Sequence, residues 1–447
     1  MAVSAPTAAP ALAASSSSSA RVRSAFRVEW RKLTSQLVTR VLLLLCALGP
    51  FAFAAVLKLQ SSTPSDTLFG VWVHSSGFAL PLVILSFAGQ WGFPAIAGIV
   101  AGDILSSEDR YGTWKTVLTR SRTRADLFAG KLLAASAVAV AVVAVTAVAS
   151  IVAGLVVIGD QSLVGFGGKL IPPGRSLFLV AVSWSISLLP LLAFVALAVL
   201  FSAVTRNGIL GVLGPLLVAL AMQLLALIGN GTWLHTLLLA SAFGAWHGLF
   251  AQPAFAAGLI AGCLVSVAWV LACLAGGWAA FARRDFAGVP AARRAGWRTS
   301  ARVALGALAV LAVLTVATNW GAAAVTPQRL RDSFAPTFNH LTLLQQRLLG
   351  RRVASGARLN QLTACARRGG ASGGPGDDWV CNVDVLIAQS GPTPLEQTVS
   401  YDVSVQSNGC YKADSPPSFV GSQLMRVPGE GSVVNPLFTI YGCFNTL

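Results

Sequence analysis

Charge is scarce in this chain of 447 residues. Asp, Glu, Lys and Arg together make up 11% of it, whereas hydrophobic residues make up 55%. Soluble domains carry about 25% charged residues, so the composition excludes an ordinary soluble protein. None of the four charged residue types occurs in residues 207–282, and a helix needs only about 20 apolar residues to cross a bilayer. The sequence therefore predicts a multi-pass membrane protein.

Acidic residues are the scarcer of the two signs. There are 16 of them against 32 basic residues, which gives a net charge of +16. The basic residues flank apolar runs and do not form one continuous face, so they indicate membrane topology and not a nucleic-acid partner, because cytoplasmic loops carry excess Lys and Arg. Before residue 303 the predicted inside segments hold nineteen Lys and Arg, and the outside loops hold three. We therefore expect a cytoplasmic N-terminus in the plasma membrane and a C-terminus outside the cytoplasm.

The apolar runs divide the chain into a polar tail, membrane spans and a soluble domain. Residues 1–20 are rich in Ala, Ser and Pro, which is typical of a disordered tail and not of a signal peptide. A domain of six transmembrane helices is expected at 38–282, a basic cytoplasmic linker at 283–302 and an outside domain at 325–447. The seven predicted spans are 41–57, 78–100, 132–158, 176–204, 208–228, 254–281 and 303–324.

One apolar segment is predicted not to cross. Residues 233–250 contain His235, His247 and two glycines. If this segment crossed the membrane, the basic block 283–302 would lie outside. We therefore interpret it as a re-entrant or interfacial segment on the outer side.

An amphipathic helix is predicted at residues 21–37, before the first span. Phe26 and Trp30 lie on its apolar stripe, and Arg31 and Lys32 are among the basic residues beside that stripe. Such a helix lies in the membrane interface, with its basic side toward anionic lipid headgroups. The alternative is a simple positive flank to the first span.

The sequence lacks an energy source of its own. It has no phosphate-binding loop of the form G-x-x-x-x-G-K-[ST], and the spacing is wrong at Gly165–Lys169. No carboxylate pair lies within a span, although ion-coupled transporters generally need an intramembrane ionisable group. His235 and His247 have no accompanying carboxylate, so no metal site is predicted. We expect no enzyme activity in this chain, and a transporter of this kind would take energy from a cytoplasmic partner.

The cytoplasmic loop 103–131 carries the most specific pattern. Its motif residues are Glu108, Gly112-Thr113, Lys115, Leu118, Arg122 or Arg124, and Gly130-Lys131. With Glu29-Trp30-Arg31-Lys32-Leu33 in the preceding helix, this pattern resembles the membrane subunits of ABC-2 type transporters over residues 21–282. The loop departs from that family at Arg120-Ser121-Arg122, where a proline is usual.

The resemblance implies an exporter permease that works as a dimer with a second copy or a homologue. A coupling helix in the loop would enter a cleft on a separate ABC ATPase subunit, which would supply ATP and Mg²⁺. Its implied contact residues are Glu108, Asp109, Arg110, Thr113 and Lys115, with Gly112 in the turn. The charge-free spans favour a lipid-like or amphipathic substrate. The alternative function is a membrane-anchored receptor or envelope scaffold whose outside domain binds a ligand or partner.

The polar C-terminal region predicts a small disulfide-stapled α+β domain. Its four cysteines, Cys365, Cys381, Cys410 and Cys443, imply two disulfides in an oxidising compartment, and three pairings are open. A helix is expected at 328–349, and alternating strands at 379–387 and 399–405 are expected to form a hairpin through Gly391-Pro392. No nucleophile–base pair is present, which favours binding or a gating cap over hydrolysis. The predicted fold class is therefore an all-α polytopic membrane protein, with six helices plus a seventh, that carries this domain.

Overall fold

Six long apolar helices dominate the computed structural model of the chain. It describes residues 18–60, 69–118, 123–226, 234–251, 256–284 and 325–444, apart from 355, 370–372, 388–394, 407–408 and 428–430, together with a few single positions. The six helices are long and apolar enough to cross a membrane. Large apolar side chains such as Leu45 and Leu48 are more than half exposed, as expected for a surface that faces lipid and not water. The chain is thus consistent with a membrane protein.

Within the described residues, the six long helices follow the first six predicted spans in order. A first helix, α1 (Ser18–Ser35), ends at an extended residue, Gln36. The first span, α2, follows at once, and the second consists of α3, a π-helical turn and α4. The bounds are α2 Leu37–Leu59, α3 Ala79–Phe87, the π turn Ala88–Gly92, α4 Phe93–Ala101, α7 Arg124–Val157, α8 Pro173–Thr205, α9 Gly208–Ala226 and α12 Ala257–Ala282.

The π turn in the second span has a local cause. Pro94 has no backbone N–H, and its ring would collide with the carbonyl of Gln90, four residues earlier in a regular helix. The chain widens instead, and the Phe93 N–H donates to the Ala88 carbonyl, five residues back. Gln90 therefore lies on an irregular turn at the midpoint of this span.

Two short helices follow the second span. α5 (Ser106–Arg110) and α6 (Trp114–Leu118) lie between α4 and α7, at the end of the bundle that also carries α1. We call this the basic end. Within the predicted loop 103–131, Arg120-Ser121-Arg122 lies outside the described residues, and α7 begins at Arg124, eight residues before the predicted third span.

Glycines allow neighbouring spans to approach closely. The Gly77 N–H donates to the Gly159 carbonyl at 3.0 Å, and a Cβ at Gly154 would lie 2.1 Å from the Gly77 carbonyl oxygen. The start of α3 therefore touches the end of α7 directly. Near the basic end, a Cβ at Gly98 would lie 2.4 Å from the Val212 carbonyl oxygen, which brings α4 against α9.

Residues 234–250 form only short pieces of helix. They are α10 (Leu234–Leu237), α11 (Leu239–Ala242) and a 3₁₀ turn, His247–Phe250. Phe250 packs against Phe69, with ring centroids 4.9 Å apart. This segment lies at the end of the bundle opposite to the basic end.

The C-terminal domain is a helix on an antiparallel sheet. The helix α13 (Pro327–Leu348) packs its Phe334 and Phe338 against Tyr401. The sheet order is β3-β4-β5-β6-β9, and a separate hairpin pairs β7 with β8. The bounds are β3 Gln361–Arg367, β4 Gly376–Ile387, β5 Leu395–Val405, β6 Cys410–Asp414, α14 Pro417–Val420, β7 Leu424–Val427, β8 Gly431–Val434 and β9 Thr439–Cys443.

The structure selects one of the three open cysteine pairings. Cys365 is bonded to Cys381 and Cys410 to Cys443. Each pair is directly opposite in neighbouring strands, the first in β3 and β4 and the second in β6 and β9. The predicted disulfides and the predicted β4–β5 hairpin are confirmed, while the turn at Gly391-Pro392 lies outside the described residues.

Three further predictions fall largely outside the described residues. They are the disordered tail 1–20, of which residues 1–17 are not described, the basic linker 283–302 beyond residue 284, and the seventh span 303–324 except for single positions. They stay predictions.

Candidate functional site

The basic end holds a cluster of ion pairs around α5. The turn after α4 directs the chain onto α8, where the Ser202 hydroxyl accepts hydrogen bonds from the backbone N–H groups of Leu105 and Ser106, both at 3.1 Å. These N–H groups have no partner within a helix that begins here, so Ser202 satisfies them. This contact fixes α5 against a long span.

Glu108 on α5 is the centre of the cluster. Its carboxylate accepts hydrogen bonds from Lys131 at 3.1 Å, from Lys32 at 3.0 Å and from the Thr113 hydroxyl. Lys131 also donates to Glu29 at 2.7 Å. We name the five residues Glu29, Lys32, Glu108, Thr113 and Lys131 the Glu108 network. It ties α1, α5 and α7 together.

The Glu108 network is largely removed from solvent. The Lys131 side chain is 2% exposed, that of Glu108 9% and that of Glu29 12%. Burying an ion costs several kcal/mol, which the pairing only offsets, so a buried ion pair is weak evidence for stability. Its presence at this end of the bundle therefore favours a role in fixing geometry.

Lys32 forms the partly exposed edge of the network. Burial would lower the pKa of Lys32, but its hydrogen bond to Glu108 and the charges of Glu108, Glu29 and Asp103 together raise it above its ordinary value. Lys32 therefore carries a full positive charge at neutral pH, and α1 is held electrostatically to α5.

A second ionic contact fastens α5 to the other long helices. Asp109 pairs with Arg284 at 2.7 Å and also accepts a hydrogen bond from the Trp114 indole N–H at 2.8 Å. The Arg284 guanidinium, 3% exposed, donates to the backbone carbonyls of Ser202 and Ala203 at the end of α8. Arg284 follows α12 directly, so Asp109 connects α5 with both α8 and α12.

The exposed tip of this region lies between α5 and α6. Tyr111 is 71% exposed, Gly112 has a left-handed φ of 64°, and Lys115 is exposed. Arg110 lies over the Tyr111 ring and pairs with Asp103 at 2.6 Å, with 55% of its side chain exposed. We name Arg110, Tyr111, Gly112 and Lys115 the tip.

The six residues of the predicted coupling site thus separate into two groups. Arg110, Gly112 and Lys115 lie on the exposed tip. Glu108, by contrast, is only 7% exposed, Thr113 donates a hydrogen bond to it, and Asp109 is occupied by Arg284 and Trp114. Glu108 therefore lies inside the chain and not on a contact surface, because three cationic or hydroxyl donors surround it.

The helix α1 lies along the start of α7. Arg21 pairs with Asp126 at 2.9 Å, and a Cβ at Gly130 would lie 2.5 Å from the Ala25 Cβ. Phe26 and Trp30 stack with ring centroids 5.9 Å apart and are half-buried. Arg31 is exposed, as the predicted amphipathic helix requires.

Sequence reasoning missed the partners that make this cluster. Lys131 and Glu29 belong to the two motif segments and Arg284 to the basic block 283–302, but the sequence alone assigned them no contact. One signal was available, since Glu29 is the only acidic residue among the first 65. A lone carboxylate within a basic segment that packs on a span indicates a specific ionic partner.

The opposite end of the bundle carries the C-terminal domain. A short hairpin there, β1 (Leu163–Val164) and β2 (Leu170–Ile171), presents Phe166 to Tyr441, with ring centroids 6.2 Å apart. His340 Nδ1 lies 2.9 Å from the Gly167 carbonyl oxygen, and the Gly167 N–H donates to the Tyr441 carbonyl at 3.3 Å. The domain is therefore docked onto the bundle. No group of three or more His, Cys, Asp or Glu suited to a metal occurs among the described residues.

Comparison with known proteins identifies a family for the bundle. The family described as "Protein of unknown function (DUF2705)" matches residues 38–287, which cover the six long helices and the segment around α5. No curated protein matches the chain.

Proposed function

The chain belongs to the DUF2705 family, and from the ionic connections of α5 we propose that it is the permease subunit of an ATP-driven exporter of the ABC-2 type. The ATP would be hydrolysed by a separate cytoplasmic ATPase subunit that binds the tip. The basic end would then face the cytoplasm, in accordance with the positive-inside rule, and the C-terminal domain would lie outside.

One observation carries the proposal. A segment of five residues, α5, is joined to four other helices through buried polar contacts: to α1 and α7 through Glu108, and to α8 and α12 through Asp109 and Arg284. A load applied at the exposed tip would therefore reach all four helices as a rigid-body displacement. An ordinary solvated loop would have no such connections.

The substrate would be lipid-like or amphipathic. The faces of the described spans carry mainly Leu, Val and Phe toward the exterior, and the ionisable groups of the cluster lie at one end. This distribution supports a substrate that moves against apolar surface, whereas a soluble ion would need ionisable ligands at mid-membrane.

The docking of the C-terminal domain supports the transporter over the receptor hypothesis. His340 and Tyr441 hold the domain against the hairpin at Gly167. A domain in that position would cover the outer end of the bundle, where it could act as a cap on the exit. A free receptor domain would have no need of this contact.

The decisive experiment measures the ATPase activity that co-purifies with the tagged chain. Purified from its native membranes in mild detergent, the wild-type chain should carry ATP-hydrolysing activity with it. Lys115→Ala combined with Tyr111→Ala should lower that activity at least tenfold, because both side chains lie on the tip and neither contributes to the Glu108 network.

The matched control is Arg352→Ala, which also removes an exposed positive charge but lies in the C-terminal domain. It should leave the bound ATPase activity unchanged. Absence of ATPase activity on the wild-type chain would contradict the exporter function, and equal loss in the tip variant and the Arg352 variant would contradict the role of the tip.

A further inference from the structure

Gln90 is a polar side chain at the middle of an apolar span. It lies on the π turn, midway between Ala79 and Ala101, and its side chain is exposed on the surface of the bundle. Its neighbours Phe87 and Trp91 are each 46% exposed. Within the described part of the chain, no group forms a hydrogen bond with the Gln90 amide.

Other polar side chains in the spans satisfy themselves locally. The hydroxyls of Ser86, Thr146, Ser183 and Ser266 each donate to the backbone carbonyl four residues earlier, at 2.7–3.0 Å. A primary amide carries two donors and an acceptor and has no such solution here. Without a partner in hydrocarbon, each unsatisfied group carries a large transfer cost. Gln90 therefore needs a partner beyond the described residues of this chain.

The neighbouring helix presents a second unpaired amide near this depth. The helices α4 and α9 run antiparallel and touch at Gly98 and Val212, so Gln90, eight residues before Gly98, lies level with about Leu220. Gln223 is about one helical turn farther, is half-buried, and has no hydrogen-bond partner among the described residues. The large exposed side chains of the second and fifth spans at this depth are Phe87, Gln90, Trp91, Leu217, Leu220 and Leu224, which we name the Gln90 face.

The chemistry of the Gln90 face fits a second copy of this chain. It contains no charge that would require an opposite charge on a partner. An amide is both donor and acceptor and is thus complementary to itself. In a two-fold dimer the same patch meets itself, so a residue near the axis faces its own copy, and polar side chains hydrogen-bond across helices in membrane interfaces.

We propose that a second copy covers the Gln90 face, with the two Gln90 amides hydrogen-bonded to each other across a two-fold axis. This deepens the proposed function, since it names the surface through which two permease copies meet, and it depends on that function only for the membrane setting.

Disulfide cross-linking in native membranes tests the geometry. Gln90→Cys is placed in a full-length chain in which Cys46, Cys263 and Cys273 are replaced by Ser, and is treated with copper phenanthroline. A band at twice the monomer mass is expected. The matched control is Leu48→Cys, at the midpoint of α2 and 57% exposed, which should remain monomeric. Equal cross-linking of both variants would indicate random collision and would overturn the proposal.

Substitution tests the hydrogen bond itself. Measured by energy transfer between labelled copies in lipid vesicles, Gln90→Leu should weaken dimerisation about tenfold, since two symmetric interhelical hydrogen bonds are lost. Gln90→Asn, which keeps the amide, should retain most of the affinity. An unchanged affinity in the Leu variant would refute the pairing. So would labelling of Gln90→Cys by a charged, membrane-impermeant thiol reagent without cross-linking, because water would then cover the face.

The bound ATPase activity is scored on the same preparations. A cross-linked dimer without ATPase activity would support the Gln90 contact and contradict the exporter function. ATPase activity without a cross-link would contradict the Gln90 contact alone.

Discussion

Removal of Lys131 is the most informative perturbation of the Glu108 network. In Lys131→Met the side chain keeps its approximate length and loses its charge. Glu108 retains Lys32 and Thr113 as donors. Glu29, however, loses the only donor to its Oε1, and its Oε2 is buried with no hydrogen-bond partner among the described residues. The variant therefore leaves one buried carboxylate without a hydrogen-bond donor among the described residues.

The expected loss of folding stability follows from the number of buried carboxylates that lose their donor, which is one. Breaking a buried ion pair by removing one partner costs about 3–5 kcal/mol. Because Glu108 stays compensated, the lower end, about 3 kcal/mol, applies here. For a unit of roughly 250 residues this corresponds to a fall of about 6–12 °C in Tm. Thermal unfolding in detergent, followed by size-exclusion chromatography of the surviving protein, measures it.

Two further variants make the reasoning refutable. Lys115→Met applies the same chemical change to an exposed residue of the tip and should shift Tm by less than about 2 °C. Glu29→Gln added to Lys131→Met should recover about half of the loss, since no uncompensated carboxylate then remains near α7. A double variant that is as unstable as the sum of the two single variants would show that Glu29 and Lys131 do not interact.

Two predictions concern other contacts. Gly130→Leu should separate α1 from α7, because even a Cβ at this position would lie 2.5 Å from the Ala25 Cβ. Less ATPase activity should then co-purify with the tagged chain. In the control, Gly174→Ala, the added Cβ would have no neighbour within 4 Å, and the co-purified activity should not change. Replacing both Cys410 and Cys443 by Ser should destabilise the C-terminal domain by about 2–5 kcal/mol, measured as faster proteolysis of residues 325–444; an unchanged cleavage rate would show that the sheet does not depend on this bond.

The long helices could be predicted from the sequence because membrane spans depend on a local property. An apolar run of sufficient length forms a helix that satisfies its own backbone, so the predicted ends fell within a few residues of the observed ones for α2 and α9. The helix α7 begins eight residues earlier than predicted, because its first turns are charged: the capping pair Thr123 and Asp126 starts the helix before the apolar run begins.

The sequence predicted which segment carries the cluster at the basic end, but it did not predict the contacts within that cluster. The motif identified the right segment, since Glu108, Thr113 and Lys131 all belong to the Glu108 network. It did not reveal that Glu108 is buried, because the three donors come from α1, from the turn after α5 and from α7. The sequence left the disulfide pairing open for the same reason: Cys365 and Cys381 meet through strand register, which depends on long-range pairing.

The contact between Gly77 and Gly154 has a mechanical consequence when it is combined with the salt bridge between Glu108 and Lys131. The second span, through the α5 that follows it, and the third span are joined at both ends, by backbone contact at one and by charge at the other. The two spans therefore cannot separate at either end without breaking one of these contacts. In the proposed exporter, a gap that admits the substrate would form along the outer flanks of this pair, and the pair would be the rigid element about which the remaining helices move.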